Sequence, residues 1–194
     1  HEKLHLVNLE DKTLKPIVFS NLEANDIANS NFIVTQTKVQ TTNSPVQIPL
    51  VIAHRKNLEL NGNNPCLVLG YGAYGHPTDL SFEIQKLLLL HNDFIIAFPQ
   101  VRGGGDGDIN WHKDGSLLNK RNSFNDFNDC VRFLIDQRYT NPSLVCAKGV
   151  SAGGMLVATS SILHPELYRS ILLKVPFLDV TTTMLDKTLP LTEL

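Results

Sequence analysis

The 194-residue chain lacks the cysteine patterns that mark disulfide-rich and zinc-binding proteins. Its three cysteines are Cys66, Cys130 and Cys146, an odd number without C-x-x-C spacing or a neighbouring histidine cluster. Each lies in or beside an apolar segment, which is typical of small buried side chains in a reduced compartment. The cysteines therefore predict a cytoplasmic protein without a metal site.

The chain also lacks an excess of basic residues and any long apolar run. Its formal net charge is -2, so it does not carry the positive charge that nucleic acid recognition requires. The apolar run Leu87–Leu90 is bounded by Lys86 and His91 and is far too short to span a bilayer. With 42% hydrophobic and 19% charged residues, the composition predicts a soluble globular chain that binds neither nucleic acid nor membrane.

A Gly-x-Ser-x-Gly motif is present at Gly149, Ser151 and Gly153. The apolar run Leu144–Ala147 precedes it and a helix-like segment follows, as in the nucleophile elbow of α/β hydrolases, where a strand turns sharply into a helix. Glycines are needed there because a side chain would collide with the neighbouring backbone. Ser151 is therefore the candidate nucleophile, and the alternative is a serine in a tight turn that performs no chemistry.

The predicted elements alternate from Pro65 onward as β, α, β, loop, α, β, α, β. This alternation predicts a parallel sheet with helices on both faces. Upstream, residues 1–20 read as a β-hairpin, 21–31 as a turn or linker, and 32–40 and 46–54 as two strands. We expect residues 102–115 to be irregular, and Ser123 to open a helix that runs to about Arg138, with Ser123 and Asp126 as a variant of the capping box.

The segment Gly70–Gly75 spells G-x-G-x-x-G, the dinucleotide-binding fingerprint. A Rossmann unit requires this segment to open a helix and an acidic residue at the end of the next strand. Here His76 and Pro77 follow directly, and Asp93 precedes the next strand. The glycines at 103–105 are likewise not followed at once by a helix that would bind phosphate. The sequence therefore predicts no nucleotide and no other cofactor.

Six blocks of the chain occur together in one order, and together they resemble a known family. The blocks are GYGAYG at 70–75, VRGGG at 101–105, WHKDG at 111–115, NSFNDF at 122–127, GVSAGG at 149–154 and VPFLDV at 175–180. They are similar to the prolyl oligopeptidase family of serine peptidases, in its oligopeptidase B and prolyl endopeptidase-like branch. The Ser-Ala-Gly-Gly form and the segment at 183–192 favour that branch, and the resemblance covers about residues 30–194.

The resemblance implies a partial α/β-hydrolase fold, a parallel sheet with a nucleophile elbow, preceded by the last strands of a β-propeller. Residues 1–31 would be the C-terminal remnant of the propeller and a linker, and residues 32–194 the N-terminal part of the catalytic domain. Ser151 would be the nucleophile, and the backbone N–H of Ala152 and the hydroxyl of Tyr71 would form the oxyanion hole. Such donors suit the charge that develops on the substrate oxygen.

The chain departs from the family pattern in two respects. Asp106 stands where the family usually has glutamate, and the resemblance places the Asp and His of the catalytic triad beyond Leu194. The histidines in the chain are poor substitutes for that base: His112 is interpreted as structural, and His164 ends the helix that follows Ser151. Asp179 follows a strand, but the family's triad aspartate lies later.

The resulting hypothesis is a fragment of a cytoplasmic serine oligopeptidase that hydrolyses short peptides through an acyl-enzyme and needs no cofactor or metal. The fragment alone would be inactive, since removal of triad partners costs several orders of magnitude in rate. One alternative keeps the chemistry but changes the substrate to esters or thioesters, as the prolyl endopeptidase-like members suggest. A second alternative is a non-catalytic interaction protein. The sequence does not give the oligomeric state.

Overall fold

The computed structural model describes residues 31–81, 83–186 and 188, and the backbone of residues 5–7 and 14–16. The chain divides into two compact units, His1–Asn31 and Phe32–Leu194. In the first unit, strands β1 (His5–Val7) and β2 (Leu14–Pro16) pair antiparallel, as the predicted hairpin requires. The predicted linker at 21–31, except its last residue, and most of the segment at 183–192 beyond Asp186 lie outside the described residues.

The second unit contains a six-stranded sheet. Its strands are β3 (Phe32–Gln40), β4 (Gln47–Arg55), β5 (Cys66–Gly70), β6 (Ile95–Pro99), β7 (Val145–Val150) and β8 (Ser170–Lys174). The strand order is β3-β4-β6-β5-β7-β8. Strands β6, β5, β7 and β8 run parallel, and the hairpin of β3 and β4 joins β6 antiparallel. The predicted parallel sheet is confirmed for its central strands.

The described part of the second unit contains five α-helices, of which four lie between strands of the sheet along the chain and the fifth follows β8. They are α1 (Ile84–His91), α2 (Ile109–Lys113), α3 (Arg121–Asp136), α4 (Ala152–Leu163) and α5 (Val180–Leu185). No helix among the described residues is both long and apolar enough to cross a membrane.

Two expectations for the segment between β6 and α3 were wrong. The stretch expected to be irregular contains α2, because the carboxylate of Asp108 caps it by accepting hydrogen bonds from the N–H groups of Asn110 and Trp111. Helix α3 begins at Arg121 rather than at Ser123. The Ser123 hydroxyl is not a cap, since it donates to the carbonyl of Arg102 at 2.6 Å.

The core lies on both faces of the sheet because the side chains of the central strands alternate between them. In β6, Ile95 and Ala97 belong to the cluster that packs beneath α3 and α4, which contribute Phe127, Leu134 and Leu156. Ile96 and Phe98 form the opposite cluster with Val51, Leu69, Leu89 and Leu90, and α1 covers part of it. Helices therefore lie on both faces, as the alternation of elements predicts.

The topology marks one place on the sheet as a site for ligands. From β5 the chain moves to β6 on one side, and from β6 it returns to β7 on the other side of β5. In open α/β sheets, ligands bind outside the carboxyl ends of the strands at such a reversal. The carboxyl ends of β5 and β7 carry Gly70 and Val150, directly before Tyr71 and Ser151.

Candidate active site

Ser151 occupies the sharp turn between β7 and α4. Its backbone has φ 53° and ψ -121°, a conformation that a residue with a Cβ adopts at a cost of about 1–3 kcal/mol. Three backbone hydrogen bonds hold it: the Ser151 N–H donates to Lys174 O at 3.1 Å, and the N–H groups of Gly154 and Phe177 donate to Ser151 O at 2.9 Å and 3.0 Å. The side chain is exposed. The turn thus presents a hydroxyl group on a rigid support.

Three glycines around the turn leave no room for a side chain. A Cβ on Gly149 would lie 2.0 Å from the carbonyl oxygen of Gly153, and a Cβ on Gly153 would lie 2.3 Å from the carbonyl oxygen of Gly70. A Cβ on Gly154 would lie 2.5 Å from Cβ of Pro176. The strand, the helix and the neighbouring chain therefore approach one another at distances that only glycine permits.

The two other predicted site residues lie at the same edge of the sheet. Gly70 pairs with Gly149 in the register of β5 and β7, so Tyr71 follows the pair by one residue and Ser151 by two. Ala152 is the first residue of α4, and its N–H group has no acceptor among the described residues. A free N–H at a helix N-terminus is suited to stabilising a negatively charged oxygen. The Tyr71 ring packs near the His76 ring, with centroids 6.0 Å apart.

A cleft of about 700 Å³ opens beside Ala152. Its described lining consists of Ala73, Tyr74, His76, Gly103, His112, Gly115, Ser116, Leu117, Lys120, Ala152, Met155, Phe177, Val180 and Met184. The lining combines apolar and aromatic surface with three nitrogen-bearing side chains, and none of its described members is a carboxylate. A cleft of this size next to a strained serine can hold a short segment of a substrate.

The glycine-rich loop after β6 is packed against the segment that carries Tyr71. The Gly75 N–H donates to Gly103 O at 3.1 Å, and the Gly105 N–H donates to His76 O at 2.9 Å. A Cβ on Gly105 would lie 2.0 Å from Gly75 O. These glycines therefore allow the backbone of the loop after β6 to lie close to the backbone of the loop after β5.

Asp106 also attaches the loop after β6 to the loop after β5. Its carboxylate accepts hydrogen bonds from the N–H of Thr78 at 2.8 Å, from the Thr78 hydroxyl at 2.9 Å and from Gln100 Nε2 at 3.1 Å. Asp106 thus anchors the end of the loop that begins at Tyr71.

A buried ion pair, which the local sequence pattern does not predict, attaches the glycine-rich loop after β6 to helix α3. Arg102 Nη2 lies 2.6 Å from Asp126 Oδ1, and Arg102 Nε and the Arg102 backbone N–H both donate to Asp126 Oδ2. Hydrogen bonding to Asp126 raises the pKa of Arg102, whereas burial raises the pKa of Asp126. Because two donors from a permanently charged guanidinium group and one backbone N–H face the carboxylate, we take the pair as ionised at neutral pH.

The histidines and the aspartate considered as a base have other partners. His112 Nδ1 lies 3.0 Å from Gly103 O, and His164 Nδ1 contacts Arg132 and Glu166. Asp179 caps α5 by accepting a hydrogen bond from the N–H of Thr182. Within the described ranges, none of these groups forms a hydrogen bond with the Ser151 hydroxyl.

Cys66 and Cys130 do not compete with Ser151 as nucleophiles. All three cysteines are free thiols. Burial raises the pKa of Cys66 to about 12 and that of Cys130 well above its ordinary value, so both stay protonated at neutral pH. Among the described residues, no cluster of three His, Cys, Asp or Glu side chains is arranged to hold a metal ion.

Comparison with known proteins identifies the group to which this site is similar. The model of the prolyl oligopeptidase family matches residues 80–194. "Protease 2" of Moraxella lacunata is 42% identical over 154 residues, 79% of this chain and 22% of that protein. "Prolyl endopeptidase-like" of Homo sapiens is 39% identical over 145 residues, 75% of this chain and 20% of that protein.

Comparison with solved structures leads to the same group of proteins. The structure of oligopeptidase B from Leishmania major matches with a TM-score of 0.82 and 32% sequence identity, over 98% of this chain and 26% of that one. The chain thus spans about a fifth of the length of the curated relatives that it matches. The expected α/β-hydrolase fold and the resemblance stated from the sequence are confirmed.

Proposed function

The chain belongs to the prolyl oligopeptidase family of serine peptidases, and we propose that it carries the nucleophile and oxyanion hole of a peptidase for short peptides. Ser151 is the nucleophile in this proposal, and no cofactor or metal takes part. The relatives are much longer than this chain. The proposal therefore concerns the full-length gene product.

The conformation of Ser151 is the observation that carries the proposal. A strained, exposed serine at the end of a central strand, held by hydrogen bonds at both its N–H and its carbonyl, is costly for stability alone. Such strain is typical of positions where the backbone aims a reactive group.

The proposed reaction uses the elements around Ser151 in sequence. The Ser151 oxygen attacks the substrate carbonyl carbon and transfers its proton to a general base, while the carbonyl oxygen becomes an oxyanion. The Ala152 N–H and the Tyr71 hydroxyl donate hydrogen bonds to that oxyanion. Collapse of the intermediate breaks the C–N bond, the base returns the proton to the leaving amine, and water then hydrolyses the acyl-enzyme.

In this proposal the general base is neither His112 nor His164. His112 and His164 interact with other groups, and neither forms a hydrogen bond with Ser151 in the described structure. We propose that the triad histidine and aspartate lie outside the described residues, as in the family. Without them Ser151 remains a weak nucleophile, so the described part alone would be inactive.

The nature of the scissile bond is the finer part of the proposal. Peptides are the first expectation, because relatives carry the names oligopeptidase B and "Protease 2". The test is to incubate the full-length gene product with short peptides, esters and thioesters and to identify the products by mass spectrometry. Peptide cleavage supports the proposal, and cleavage of esters or thioesters alone would change the substrate class. The absence of turnover from all three would favour a non-catalytic role.

Tyr71→Phe provides a test of the oxyanion hole. Loss of one oxyanion donor is expected to lower kcat by about 10²–10³-fold with little change in KM, because the hydrogen bond strengthens only as the oxyanion forms. The matched control is Tyr74→Phe, which removes the hydroxyl of a different tyrosine, one that lines the cleft beside Ala152. Equal kcat values for the two variants would contradict the role proposed for Tyr71.

A further inference from the structure

Lys120 places a cation in the cleft without a described carboxylate partner. It lies directly before α3 and lines the cleft together with Ala152. Its ammonium group donates to the carbonyl of Gly72 and lies 3.2 Å from the Ser123 hydroxyl oxygen. No motif in the sequence around Lys120 indicates this position.

Gly72 is the residue that follows Tyr71. It has φ +59°, and a Cβ there would lie 2.5 Å from Cγ2 of Val101, so the backbone is tightly enclosed on that side. One peptide bond joins Tyr71 to Gly72, and the carbonyl group of Gly72 lies in the next peptide bond, between Gly72 and Ala73. A donor that holds this carbonyl therefore fixes the position of the loop one residue after Tyr71.

The other contacts of Lys120 connect it to a rigid part of the fold. The Ser123 hydroxyl donates to Arg102 O at 2.6 Å, and Arg102 is held by the buried pair with Asp126. A continuous set of polar contacts thus runs from the carbonyl of Gly72 through Lys120 and Ser123 to helix α3.

The position of the cation is costly for the fold. Burial lowers the pKa of Lys120 to about 8, because the charged form loses hydration and gains no described carboxylate in exchange. An uncharged side chain would avoid this penalty. The cost favours a role in which a charged donor is required at this place.

We propose that Lys120 is a positioning residue of the oxyanion hole, whose ammonium group fixes the Gly72 carbonyl and thereby the orientation of Tyr71 toward Ser151. The inference rests on the proposed function. Lys120 acts through the loop and does not touch the reacting atoms. Its loss is therefore expected to slow the chemical step and to leave substrate binding nearly unchanged.

A pH dependence follows from the lowered pKa. Below about pH 8 the charged ammonium group is a strong donor to Gly72, and above it the neutral amine is a weaker one. Activity is expected to fall as the pH rises through this range. Arginine at position 120 stays charged throughout and should remove the alkaline fall. The titratable groups that line the cleft together with Lys120 are Tyr74, His76 and His112, and Ser123 links Lys120 to the pair Arg102–Asp126. The arginine variant leaves all of these groups in place.

The experiment measures the covalent labelling of the full-length gene product by a fluorophosphonate, as a function of probe concentration and pH. Lys120→Met is expected to lower the maximal labelling rate by about 10–100-fold, less than the loss of a direct oxyanion donor, without a comparable change in the half-saturating concentration. Lys120→Arg should restore most of the rate and give a profile without the alkaline fall. Lys113→Met, at an exposed lysine of α2, is the control.

The outcomes of this experiment distinguish the proposed function of Ser151 from the proposed role of Lys120. If the unsubstituted protein does not label, the proposed function fails. If it labels and Lys120→Met has the same rate and pH profile, the role of Lys120 is wrong while the proposed function stands. Should Lys120→Met not fold, as judged by thermal unfolding, the comparison of the unsubstituted protein with Lys120→Arg decides, and identical pH profiles would overturn the inference.

Discussion

Ser151→Ala is expected to lower the rate of peptide hydrolysis by the full-length gene product at least about 10⁴-fold, because no acyl-enzyme can form without the hydroxyl. The fold should remain intact. Alanine and serine both carry a Cβ, so the strain at φ 53° is the same in each, and the exposed hydroxyl makes no hydrogen bond within the described structure. Measurement of kcat/KM, with circular dichroism to verify folding, tests this expectation.

Ser161→Ala is the matched control for this variant. Ser161 lies on α4, the helix that follows Ser151, and its hydroxyl donates to the carbonyl of Ala158 at 2.8 Å. Its removal should leave the rate unchanged. A folded Ser151→Ala protein that retains the rate of Ser161→Ala would show that Ser151 is not the nucleophile.

Gly149→Ala is expected to prevent the chain from folding, or to lower its free energy of unfolding by more than about 4 kcal/mol. The added Cβ would lie 2.0 Å from the carbonyl oxygen of Gly153 and 2.4 Å from its carbonyl carbon. Both are backbone atoms at the start of α4, so neither can move without displacing the helix that positions Ser151. Soluble yield and urea unfolding measure the effect.

The control is Gly62→Ala, at a glycine with open space. Gly62 has φ +88°, but the nearest atom to an added Cβ is 3.8 Å away, so the cost is limited to backbone strain of about 1–3 kcal/mol. If Gly149→Ala were no more destabilising than Gly62→Ala, the strand and the helix would not be packed as closely at Ser151 as described here.

Much of this architecture can be predicted because local patterns determine it. The apolar run that becomes β6 is buried at every position, the runs that become β5 and β7 alternate buried with half-buried or exposed residues, and Ser151 alone separates the end of β7 from the start of α4. The Gly-x-Ser-x-Gly motif therefore places Ser151 on a strand-to-helix turn without knowledge of the remaining fold. Tyr71 joins it because parallel strands end at the same edge of the sheet.

Contacts between distant parts of the chain could not be predicted in the same way. Ser123 has the sequence context of a helix cap, yet its hydroxyl forms hydrogen bonds with the carbonyls of Arg102 and Gly115. These carbonyls come close to Ser123 only after the loops have folded. Lys120 likewise meets Gly72 across 48 positions of sequence. A lysine before a helix usually remains in solvent, and nothing in its local pattern indicates burial.

The identity of the acylated residue tests the central claim most directly. The full-length gene product is labelled with a fluorophosphonate and digested with trypsin, which is expected to release residues 149–169 as one peptide between Lys148 and Arg169. That peptide contains Ser151, Ser160 and Ser161, which tandem mass spectrometry distinguishes. The account predicts a single adduct on Ser151. An adduct on another residue, or no adduct on a folded protein that cleaves peptides, would contradict it.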